Sequence, residues 1–313
     1  MSQVAGIGLI FIASTCSSIG MNFQKLAHRQ GEYHDPRTMQ KPRNKTLDSY
    51  VYCRPYMILG FILTTAAVIC DSIALFFIGT TMIGVLGCMA IPINVFVSRY
   101  ILFEQIKKTE KCYILIITIG CLACLITAKS HEPIETFIRF SKVETAIYIT
   151  CIWIFAFFLY TLTLFINKND FQLIVLSVIS GIMGSQFVSM GKYLLDITWL
   201  INNNIQIPPT LQIIGVSLLA IIALPLQIMF LNKSLEKFNA THCIAIFQCT
   251  WCILNVTQGI IVFGDMLSAS TVEYVIFMMG FAMTCLGIIG LSKQIGDEPL
   301  SYSDHSPSSS VPL

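Results

Sequence analysis

Residues 143–166 read VETAIYITCIWIFAFFLYTLTLFI, 24 positions whose one charged side chain, Glu144, sits at the edge. A hydrocarbon core of ~30 Å is crossed by about 20 apolar residues in a helix. In lipid every backbone polar group has to be satisfied internally, so only helices and closed barrels cross. This run is too long for a barrel strand and shows no alternation, so it reads as a transmembrane helix. Similar runs recur along the chain at Val4–Phe23, Tyr56–Ile78, Met82–Leu102, Cys112–Ala128, Leu173–Leu195, Leu211–Leu231, Thr241–Phe263 and Val272–Leu291. The composition agrees: 55% of residues are hydrophobic and 12% charged, with a mean hydropathy of +0.74. A soluble domain is excluded. The expected fold is an all-α polytopic membrane protein of nine helices.

Only the turn Gly79–Thr81 separates the second run from the third, and together they far exceed one bilayer thickness, so the chain is expected to reverse near Gly79. Pro92 and Pro225 fall inside runs, where neighbouring helices can re-satisfy the carbonyl each proline frees.

Charge sets the expected orientation. One side receives the loop 24–55 with Lys25, Arg29, Arg37, Lys41, Arg43, Lys45 and Arg54, then Lys107, Lys108, Lys111, Lys168, Lys233, Lys237 and Lys293. The other side receives Lys129, Arg139 and Lys142, while Arg99 and Lys192 lie within runs. The positive-inside rule places the first group in the cytoplasm, giving an outward N-terminus and a cytoplasmic C-terminus. No basic residue precedes the first run, which reads as a retained helix rather than a cleaved signal. The transmembrane domain is expected to cover 1–293. The loop 24–55 is expected to be irregular, and the polar, proline-bearing tail 294–313 disordered.

Most of the twelve cysteines lie in or beside the runs, where a free thiol acts as a small hydrophobe. Cys121/Cys124 and Cys249/Cys252 have Cys-x-x-Cys spacing, for which helix packing is the preferred reading over a metal. No cofactor and no nucleic-acid partner is expected.

An internal echo follows from the order of residues. The segment Thr81–Glu104–Ala128 and the segment Thr241–Asp265–Leu291 each begin with Thr after a short turn. Each then runs through a helix with one Asn (Asn94, Asn255), meets an acid after an aliphatic-aromatic cluster, and continues into another helix. Helix pairs inserted in opposite senses are the building units of inverted-repeat transporters.

The stretch Phe230-Leu-Asn-Lys-Ser-Leu-Glu-Lys-Phe-Asn239-Ala-Thr resembles the end of the seventh and start of the eighth helix of the NIPA magnesium-transporter-like family, a branch of the drug/metabolite transporter (DMT) superfamily. So do Phe263-Gly-Asp265, Gly184-Ser185 ahead of Gly191-Lys192, Ser18-Ile-Gly20 ahead of Gln24-Lys25, and Leu86-Gly87 ahead of Tyr100 and Glu104. The likeness covers roughly residues 6–293 and rests on order and spacing. The chain departs from it at Val68, where familiar members carry an acid, at Asp71, where they often have Asn, and at Val85 and Ala245, where prolines are common. The resemblance implies DMT-like inverted repeats, a central path, and transport of Mg²⁺ or another divalent cation.

A charge in mid-bilayer costs about 2.5–3.5 kcal/mol on insertion scales and therefore faces the bundle interior. Asp71 is the foremost candidate, because Mg²⁺ keeps its waters and is held through one or two carboxylates. Its two readings are a transient Mg²⁺ ligand and a partner for Lys192 or a neighbouring backbone. Lys192 reads as a counter-ion to Asp71 or as a lysine snorkelling beside Asp196. Asn22, Asn94, Gln186 and Gln248 are further path candidates, and Glu104 and Asp265 read as helix caps or gate contacts. Arg99 is expected to snorkel, and His242 to pack rather than ligate. The alternative substrate is a small organic solute of the drug/metabolite type, disfavoured by the scarcity of basic residues in the runs. No His-Glu-x-x-His or Gly-x-Ser-x-Gly arrangement is present, so no enzyme is expected. The lipid bilayer of a plasma or internal membrane is the expected setting.

Overall fold

The computed structural model describes residues 2–33, 55–101, 108–127, 138–140, 142–165, 169–203, 210–237, 240–266 and 269–296. The helices are α1 (Ser2–Tyr33), α2 (Pro55–Ala74), α3 (Thr80–Gly87), α4 (Ala90–Ile101), α5 (Lys108–Ile126), α6 (Val143–Phe165), α7 (Asn169–Asn202), α8 (Thr210–Lys237), α9 (Ala240–Gln258) and α10 (Thr271–Gly296). With α3 and α4 taken as one span, nine segments among the described residues are long and apolar enough to cross a membrane. The fold is an all-α polytopic membrane protein.

Several boundaries depart from the hydropathy reading: α7 runs on to Asn202 and α8 to Lys237, past the expected Leu195 and Leu231, and two further departures bear on the site. The first helix continues to Tyr33, so Lys25 is a buried helical residue and not part of the basic loop. Hydropathy stops at the first polar residues, whereas the helix runs on because those residues find partners inside the protein. The third span is broken into α3 and α4. Pro92 has no N–H to offer the Cys88 carbonyl, which instead accepts from Ile91 N at 3.0 Å. Other groups serve the break: Cys121 Sγ donates to Val85 O at 3.3 Å and Ser18 Oγ to Ala90 O at 3.0 Å. The helix breaks where the reversal near Gly79 is expected. The helix α2 ends at Ala74, and α3 starts after Gly79, its N-cap.

The packing follows a repeated order. The first helix lies along α2 and across α3 and α4; α7 lies along α8 and across α9. In the centre α3 meets α9, and at one flank α5 lies along α10. The helix α6 touches chiefly α7 and leaves Ile147, Ile154, Phe157 and Phe165 exposed on its outer side, as a lipid-facing helix does. By contrast every residue of α3 is buried. The main core joins residues of α1, α3, α4, α5 and α9, among them Ile10, Met21, Ile83, Ile91, Ile117 and Trp251.

Glycines bring the central and flanking helices together. A Cβ on Gly120 would stand 2.6 Å from Gly280 O, and one on Gly280 would stand 2.7 Å from Gly120 O. A Cβ on Gly84 would stand 2.7 Å from Asn255 Cβ. Small residues at such crossings let backbones touch where the hydrophobic effect does not drive association.

Candidate functional site

Three polar groups line the helices that meet in the centre. The first joins α1 to α4: Asn22 Nδ2 donates to Asn94 Oδ1 at 2.7 Å and to Ser18 O at 2.8 Å, all fully buried. The structure therefore brings together two of the residues singled out in the sequence. Ser18 was missed, and its one signal was its spacing of one turn from Asn22.

The second group joins α7 to α9. Ser189 Oγ donates to Gln258 Oε1, and Gln186 lies one turn earlier on α7. Gln186 is fully buried, yet neither its amide oxygen nor its nitrogen has a hydrogen-bond partner among the described residues. Gln248 is buried on α9 beside the break in the third span; a Cβ on Gly87 would stand 3.4 Å from its Nε2. A buried amide such as that of Gln186 is costly in a low-dielectric interior unless satisfied.

The third group sits where α3 begins and α9 ends. The helix α9 closes in a π-turn, Gly259–Phe263, and Gly264 follows with φ of 72°, a left-handed conformation that glycine adopts without a Cβ penalty. The chain then turns back, Asp265 N donating to Gly259 O at 2.9 Å. This delivers the Asp265 carboxylate to α3, where Thr81 N donates to Oδ2 at 2.8 Å. Gly79 has no side chain to cap that helix; Asp265 supplies the acceptor and a negative charge at the positive helix end. Of the two readings entertained for Asp265, the geometry is that of a cap. Its sequence counterpart Glu104 lies outside the described residues, as does the side chain of His242.

Lys192 does not pair with Asp71. Its ammonium lies 3.0 Å from Asp196 Oδ1, one turn on along α7, and donates to Leu75 O at 2.9 Å. The reason is local: an i,i+4 carboxylate is already on the same helix face, and the carbonyl end of α2 carries the negative pole of that helix. Asp71 itself is half-buried on α2, and its carboxylate has no ion-pair partner among the described residues. Lys25, counted as a loop residue from sequence, donates to Leu235 O at 2.9 Å. Arg99 is exposed at the end of α4.

The described cysteines are all free. Cys121 and Cys124 donate to Val85 O and to Phe277 O at 3.3 and 3.4 Å, so both thiols of this Cys-x-x-Cys serve helix packing. No group of three or more potential metal ligands occurs among the described residues.

The sequence model of the family described as "Magnesium transporter NIPA" matches residues 1–295. Magnesium transporter NIPA4 of Homo sapiens is 26% identical over 242 residues, which cover 74% of this chain and 58% of that protein. The chain thus spans less than two-thirds of that relative's length. No solved structure matches.

Proposed function

Since the chain belongs to the NIPA magnesium-transporter family, we propose that it carries Mg²⁺ across a membrane along a central path between two inverted four-helix repeats. The observation that carries this reading is the match of the family model over residues 1–295. A transporter family implies no enzyme.

The repeat reading draws on the packing order. One set comprises α1, α2, α3 with α4, and α5; the other comprises α7, α8, α9 and α10. Within each set the first helix contacts the second and third, and across the sets third meets third and fourth meets fourth. Alternating access is the rocking of such sets about a central site. The path runs where Asn22, Asn94, Gln186 and Gln248 face the interior, with amide oxygens suited to the waters of a hydrated ion. Asp71 is the anionic group that attracts the cation, and Asp265 holds the two central helices together. The N-terminus faces outward and the C-terminus the cytoplasm, in keeping with the lysine and arginine bias.

The test is Mg²⁺ uptake into proteoliposomes loaded with a fluorescent indicator, comparing the parent with Asp71→Asn. Uptake that disappears in the variant is the expected result. Equal uptake by both keeps the carrier and removes Asp71 from the path. No uptake by either, in vesicles holding folded protein, overturns Mg²⁺ in favour of a small organic solute.

A further inference from the structure

We propose that Lys25 and Lys192 are paired gate latches, one at each membrane face, each tying its own four-helix set to a main-chain carbonyl of the other. The proposal rests on the inverted-repeat reading and adds the residues that close each end. Lys192 on α7 donates to Leu75 O, the first carbonyl beyond α2, at 2.9 Å. Lys25 on α1 donates to Leu235 O, in the last turn of α8, at 2.9 Å. The helices α1 and α7 lead their sets and α2 and α8 come second, so this is one bond made twice with the sets exchanged. Each accepting carbonyl stands five residues before a central helix begins, Leu75 before Thr80 and Leu235 before Ala240.

Both lysines are buried, Lys25 being 8% and Lys192 2% exposed. Lysines are almost never buried to this degree unless paired. Carbonyls at a helix C-terminus lack intrahelical donors and carry the negative end of the dipole, so an ammonium is a fitting partner. The two bonds lie toward opposite faces. Lys25 and Lys192 both sit past the middle of their helices, and in the nine-crossing topology proposed above those helices, the first and sixth spans, run in opposite directions.

A bond between sets has to break when the sets part on that side. Lys192 is built for this, because Asp196 rides on the same helix and keeps the ammonium paired after Leu75 is released. With both bonds made, both faces are held shut; a transport cycle breaks one, remakes it, then breaks the other.

Amide hydrogen exchange read by mass spectrometry on the full chain in nanodiscs tests this without relying on transport. In Lys192→Met, amides of residues 75–81 should exchange about tenfold faster while those of 235–243 keep the parent rate; Lys25→Met should do the reverse. Lys192→Arg, which keeps a charged donor, should retain most of the protection. If Lys192→Met does not yield monodisperse protein, Lys192→Gln is read in its place. Faster exchange at both segments in either single variant, or at neither, overturns the latches. Face-specific exchange in a protein that moves no Mg²⁺ keeps the latches and removes the substrate; uptake without face-specific exchange does the opposite.

Discussion

Asp265 accepts the main-chain N–H of Thr81 at 2.8 Å, although 184 residues separate them in the chain. The carboxylate caps a helix whose own N-cap, Gly79, makes no side-chain hydrogen bond. The fit is close enough that a Cβ on Gly79 would stand 2.7 Å from Asp265 Oδ2.

Asp265→Ala should therefore lower the thermal midpoint in detergent, through a loss of about 0.5–2 kcal/mol, the range for removing a helix cap. Asp265→Asn keeps an oxygen acceptor but loses the charge at the helix pole, and should fall between the two. An alanine variant as stable as the parent would refute the cap.

Gly120→Val should be more damaging, because its side chain would meet Thr284 Oγ1 and Gly280 O, the Cβ alone lying 2.5 and 2.6 Å from them. Overpacking of this kind costs about 1–3 kcal/mol. Gly215→Ala is the contrasting control, since nothing lies within 4 Å of the added Cβ. The ordering of the two midpoints in the same detergent checks this, and a harmless valine would mean that α5 and α10 are free to separate.

The Asn22–Asn94 bond, 2.7 Å long, joins α1 to α4. Interhelical hydrogen bonds in membranes are worth roughly 0.6–2 kcal/mol. A double-mutant cycle with Asn22→Ala and Asn94→Ala should return a coupling in that range. Additive effects of the two changes would show that the contact contributes nothing.

Gln186 invites a change in the opposite direction. Its buried amide has no partner among the described residues, so Gln186→Leu should raise the thermal midpoint by removing an unsatisfied group. If Gln186 faces the ion, the same variant should lose uptake, the usual opposition between stability and function. A leucine variant that is more stable and fully active would place Gln186 off the path.

Hydropathy made the spans legible because lipid demands long apolar helices, whereas Pro92 reads from sequence as tolerated inside one run, and the break into α3 and α4 is seen only in the structure. The likeness of Thr81–Glu104 to Thr241–Asp265 stands beside a packing order in which α3 meets α9 and α5 lies along α10. The partners of the charged residues were not legible. Asp196 lies four positions after Lys192 and was visible as a neighbour, but Leu75 O is a backbone atom 117 residues away, and no side-chain pattern marks a carbonyl. Lys25 was hidden for a related reason: counted by charge it belongs with the basic loop, and only the extension of α1 to Tyr33 brings it inside.

The burial of α3 on every side has a bearing on how the chain is made. Its partners, Asn255, Gly259 and Asp265, belong to the eighth span and the turn that follows, and Asp265 supplies the side-chain cap at its start, where Thr80 and Thr81 stand. During synthesis the third span therefore enters the bilayer long before the carboxylate that completes it has left the ribosome. Until then its polar end depends on the insertion machinery, or on lipid, for company. Assembly of the first half is provisional, and a chain stopped ahead of Ala240 would leave that half inserted but unfinished.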